Sequence, residues 1–130
     1  MKLKHVLAIS AILMISTSSF SQDKLDQVFA GTTAEERAQN QTERMTEHLE
    51  LTDVQQDKIY TINLRYAREM ETAYRASGGK LQRLKRMRAV GQKKDGELKG
   101  VLNADQYKKY QQMKDAMRET VKERSKENRR

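Results

Sequence analysis

The chain has 130 residues, with 26 Lys and Arg against 18 Asp and Glu, 34% charged and 5% aromatic residues, and neither Cys nor Pro. That length bounds it to one domain, and the missing cysteines exclude disulfides, thiolate metal sites and thiol nucleophiles. Many charges and few aromatics suit long solvated helices around a thin core, and no proline interrupts them.

The first element reads as an export leader. Lys2 and Lys4 form a basic start, Val6 to Ile15 an apolar run, and Ser19-Phe20-Ser21 a small-x-small cleavage site before Gln22. An apolar run of about ten residues is short of the roughly 20 that span a bilayer. No cysteine follows it to carry a lipid, so no stable membrane anchor is expected. Residues 1–21 are thus expected to be a signal peptide cleaved near Ser21/Gln22, leaving a soluble protein outside the cytoplasm. Losing Lys2 and Lys4 takes the 26 basic residues to 24 against 18 acidic ones, a net charge near +6. Export and the mixing of basic with acidic residues argue against nucleic acid as a partner. A positive surface remains, suited to acidic polypeptides or anionic head groups in a salt-dependent way.

Residues 22–32 are polar apart from Leu25, Val28 and Phe29, and suit a flexible arm or a short docked helix. Thr33-x-x-Glu36 is a capping box, in which hydroxyl and carboxylate each satisfy a backbone N–H at a helix start. It opens a first helix reaching about Leu49, poor in apolar residues and dependent on a neighbour. Leu51-Thr52-Asp53-Val54-Gln55 is a second box, and Leu102-Asn103-Ala104-Asp105-Gln106 echoes it with Asn as the cap. The acidic Asp53 and Asp105 complement the helix dipole in each first turn.

The second helix is predicted over about 53–76, with Ile59, Ile62, Tyr66, Met70 and Ala73/Tyr74 on one face. At 1.5 Å per residue it is about 36 Å long. Ser77-Gly78-Gly79 supplies a left-handed stop. A third helix follows over about 80–101, with Leu81, Leu84, Met87, Val90/Gly91, Leu98 and Val101/Leu102 as its inner face. Its interior glycines each cost up to about 1 kcal/mol, so it is expected to be the loosest. Asn103 begins a last helix with Tyr107, Tyr110, Met113, Met117 and Val121 in three-and-four spacing, fading into a charged tail over 122–130.

Little here suits catalysis. Beyond the leader the one histidine is His48, and with Glu47 and Glu50 it makes at most a weak metal site. No phosphate loop and no strand framework for a nucleophile is evident. The protein is therefore read as a non-enzyme without a cofactor.

Leu51-Thr52-Asp53-Val54-Gln55 matches the LTxxQ motif, and Leu102-Asn103-Ala104-Asp105-Gln106 resembles its second copy. With the leader, the small size and the basic helical chain, residues 33–121 resemble the Spy/CpxP family of periplasmic proteins. That resemblance implies an all-α protomer of four helices, a long antiparallel hairpin, and pairing into a thin, cradle-like antiparallel homodimer. It also implies an ATP-independent chaperone for unfolded or partly folded envelope proteins, made under envelope stress. Leu51, Thr52, Gln55, Leu102, Asn103 and Gln106 are then structural motif positions. Two other readings stay open: an accessory regulator of an envelope-stress sensor kinase, and a metal-responsive protein using His48. A client surface needs long-range attraction and adaptable apolar contact, which Lys, Arg and Met supply. The face expected to carry it comprises Arg65, Arg68, Met70, Lys85, Arg86, Met87 and Arg88. Single-striped helices also leave apolar surface for a homodimer seam.

Overall fold

Three helix starts obey the same local chemistry. In a computed structural model, which describes residues 20–127 and residue 129, Thr33 Oγ1 accepts the Glu36 N–H at 3.1 Å while the Glu36 carboxylate accepts the Thr33 N–H at 2.7 Å. Thr52 with Gln55, and Asn103 with Gln106, form the same reciprocal pairs at 2.8–3.2 Å. All described elements are helical: α1 (Phe20–Gly31), α2 (Ala34–Leu49), α3 (Asp53–Arg75), α4 (Lys80–Val101) and α5 (Ala104–Glu127). The chain divides into one unit up to Thr32 and another from Thr33 onward. Residues 1–19, with most of the expected leader, lie outside the described residues. No described helix is long and apolar enough to cross a membrane.

Among the described residues five helices stand where four were expected, because the stretch over 22–32, open between a flexible arm and a short docked helix, is helical. In its own unit α1 ends at Thr32, whose N–H and hydroxyl both donate to the Val28 carbonyl at 3.1 and 2.6 Å. The tail is also helical, since α5 continues to Glu127 rather than fading near Val121. Lys, Glu and Arg are good helix formers. The spaced pairs Asp115–Arg118 and Glu119–Lys122 add a few tenths of a kcal/mol each.

In the second unit α3 is central, packing antiparallel along both α2 and α4, while α2 also meets α5. Met45, Leu49, Leu51, Ile59, Ile62, Tyr66, Leu98, Leu102 and Tyr110 form the core. Leu51 and Leu102, the residues before the two caps, are both buried in it. Glu71 of α3 accepts from Arg37 of α2 and from Arg75, which hold its carboxyl below the usual range. Two turns flank α3. Glu50, a non-glycine residue, takes the left-handed conformation (φ 52°) that closes α2. At the other end of α3, Ala76 is extended and the positive φ falls later, at Gly78 (125°). The carbonyls of Ala73 and Ala76 are met instead by the Arg86 guanidinium at 3.2 and 2.9 Å.

The expected inner face of α4 is corrected. Leu81 and Leu84 are 66% and 49% exposed, and Leu98 is the buried side chain that α4 contributes among the described residues. In the first turns of α4, within this one chain, those leucines lie open to solvent.

Asn63 is fully buried on α3, donating to Thr42 Oγ1 at 3.0 Å and toward Met45 Sδ at 3.7 Å, while its own Oδ1 has no partner. A buried oxygen without a donor costs about 1–3 kcal/mol. Thr42 keeps its bond to the Ala38 carbonyl whatever Asn63 becomes. Asn63→Leu keeps the branched shape and removes the unpartnered oxygen but adds the bulk of two methyls at a fully buried position, so relief and overpacking oppose each other and urea unfolding is expected to show a change of no more than about 1 kcal/mol in either direction.

Candidate functional site

The two motif copies meet. Gln55 Nε2 donates to Gln106 Oε1 at 2.8 Å, and Gln106 Nε2 donates back to Gln55 Oε1 at 3.0 Å. Each amide also reaches the backbone at the other copy: Gln55 to the Val101 carbonyl and Gln106 to the Leu49 carbonyl, both at 3.2 Å. Each glutamine thus caps its own helix and clasps the other turn. The arrangement joins the α2–α3 turn to the α4–α5 turn through near-equivalent halves 51 residues apart. It exposes no nucleophile and no titratable group, so Leu51, Thr52, Gln55, Leu102, Asn103 and Gln106 serve architecture.

The expected basic face is divided. Arg65, Arg68 and Arg86 border a groove between α3 and α4, floored by Leu64, Ala73 and Val90. Within it Arg65 pairs with Glu97, Arg68 pairs with Glu35, and Arg86 is committed to the end of α3. Glu97 also accepts from the Tyr66 hydroxyl at 2.6 Å, which raises the pKa of that phenol. Lys85 and Arg88 are exposed and Met70 and Met87 half-buried, and none of the four lines this groove. Most of its cations already have partners.

A second groove, between α2 and α5, gathers what the sequence reading had sought elsewhere. Met45, Tyr110, Met113 and Met117 give it an apolar floor and one wall, while Arg44, His48, Lys94, Lys109 and Lys114 stand around it. Among the described residues no carboxylate lines it. Asp95 lies beside the groove, accepting from the Tyr110 hydroxyl at 2.8 Å and pairing with Lys114. Burial, reinforced by that hydrogen bond, raises the Tyr110 pKa. Lys94 donates to Gln41 Oε1 at 2.7 Å, and burial pushes its ammonium down to about 8. His48 Nδ1 lies 3.0 Å from the Arg44 carbonyl. Among the described residues, no three His, Asp or Glu side chains converge as metal ligands would.

The sequence places Met113 and Met117 on the apolar stripe of the last helix, but nothing in it joins them to Met45, Arg44, Lys94 and Lys109. The linking fact, α2 lying against α5, is tertiary. A local hint existed in the five apolar positions of α5 from Tyr107 to Val121, of which Met117 and Val121 stay exposed.

The family described as "Domain of unknown function (DUF4890)" matches residues 21–110, and the chain belongs to it. No curated protein and no solved structure matches the chain.

Proposed function

We propose that the protein is an ATP-independent holdase, which keeps unfolded or partly folded chains soluble without transforming them. The observation that carries this reading is the α2–α5 groove, where three methionines and a tyrosine lie among five basic side chains. Unbranched thioethers repack against varied apolar partners. Surrounding cations draw chains in over several ångströms and are screened by salt. The LTxxQ-like motifs and the leader support the same reading, with the periplasm as its compartment and envelope proteins as clients.

The exposed Leu81, Leu84 and Val121 support pairing into an antiparallel homodimer, the cradle that the Spy/CpxP resemblance implies. In that assembly α2 to α5 are the four helices of each protomer. Sedimentation at micromolar concentration is expected to give a dimer, and a monomer alone would remove the cradle.

The function is tested by diluting a chemically denatured model protein into buffer with and without the purified protein, in the absence of nucleotide, and following light scattering. Near-stoichiometric suppression is expected, weakening as salt is raised. Arg44→Glu with Lys109→Glu should cut suppression several-fold at low salt, more than reversing Arg65 and Arg68, whose charges are already paired. Scattering unchanged by the protein would refute the holdase reading.

A further inference from the structure

Lys94 is the unusual member of the groove. It is half-buried, its bond goes to a neutral amide, and among the described residues it forms no ion pair. The neighbouring carboxylate, Asp95, is taken by Tyr110 and Lys114. Asp95 gives the Lys94 charge some attraction but forms no ion pair with it, and a cation held in a partly desolvated position without an ion pair gains when a carboxylate arrives. Apolar contacts supplied by Met45, Met113 and Met117 lie within the same groove.

We infer that the α2–α5 groove is selective for acidic, apolar-containing polypeptide segments, with a carboxylate of the segment pairing with Lys94 while its apolar side chains pack on the methionines. This rests on the holdase reading and deepens it, giving the groove a chemical preference among unfolded chains. Charge complementarity sets the choice of occupant, since five basic side chains and no acidic one border the groove among the described residues. A carboxylate meeting a partly desolvated ammonium forms a charge-assisted bond, stronger than a neutral one.

Binding of this kind takes up protons. In the free protein the Lys94 ammonium is held down to about 8, and a bound carboxylate raises it again. Affinity is therefore full below about pH 8 and declines as pH climbs from there toward the raised value in the complex. The charged and titratable groups facing the site are Arg44 and His48 from α2, Asp95 from α4, and Lys109, Tyr110 and Lys114 from α5.

The test uses a fluorescent twelve-residue peptide alternating Glu with Leu and Phe, and its Gln-for-Glu analogue, titrated against the purified protein by anisotropy. The Glu peptide should bind about tenfold or more tightly than the analogue. Lys94→Met should bring the two peptides close together and abolish the decline above pH 8. His48→Gln should retain that decline. Equal binding of both peptides to the unaltered protein, a comparison that needs no variant, overturns the inference. So does a Lys94→Met protein that still prefers the Glu peptide, or a Lys94→Met change that only dissociates a dimer. If the peptides fail to discriminate while denatured clients stay soluble, the selectivity falls and the holdase stands; discrimination without suppression of aggregation has the opposite meaning.

Discussion

Gln106→Ala should lower the unfolding free energy by about 3 kcal/mol and the melting temperature by about 15 °C, on the usual scaling for a unit of this size. The side chain accepts from the backbone of Asn103, exchanges two bonds with Gln55 and donates to the Leu49 carbonyl, all at a buried position. Removing it strands the Leu49 carbonyl and half of the Gln55 amide where water enters poorly, and buried groups without partners are the expensive outcome. Gln55→Ala should cost somewhat less, since Gln55 is half-buried. The double variant should lose less than the two single losses combined, by about 1 kcal/mol or more, because each single change already breaks the shared pair. Urea unfolding of the four proteins gives the cycle. Strict additivity would mean that the amides cap their own helices and do not hold the two turns together.

Leu98→Ala is the second large effect, expected at about 3–4 kcal/mol. Leu98 has no exposed surface and is the buried side chain of α4 among the described residues, so deleting it leaves a cavity and loosens the anchor of that helix. Hydrogen exchange should report the loss unevenly, with protection falling along α4 before α2 and α3. By contrast Leu81→Ala and Leu84→Ala should each stay within about 0.5 kcal/mol if the chain is alone. Should either cost more than about 1 kcal/mol, with a dependence on protein concentration, that surface is covered by a second copy.

Those contrasts bear on what the sequence could disclose. The starts at Thr33, Thr52 and Asn103 were legible because a cap is closed by residues three apart and needs nothing distant. The end of α3 was legible too, in Ser77-Gly78-Gly79, but not the Arg86 guanidinium that meets its carbonyls, which belongs to the next helix and reads in sequence as one more surface cation. Periodicity placed Leu81, Leu84 and Leu98 on one stripe of α4, but a stripe records only what is apolar, not which part of it a neighbour reaches. The helical continuation past Val121 was hidden for the opposite reason: propensity and ion pairing sustain α5 where no apolar residue marks it. As for the site, its ingredients were visible singly, and their gathering between α2 and α5 depended on a packing that no local pattern encodes.

The clasp between the α2–α3 and α4–α5 turns is made wholly of uncharged amides and backbone groups. Acidification or a rise in ionic strength weakens the carboxylate–guanidinium pairs elsewhere on the surface, yet finds nothing there to protonate or screen. The joint is thus indifferent to the bathing medium, while the cation-lined groove that it helps to position stays tunable by it.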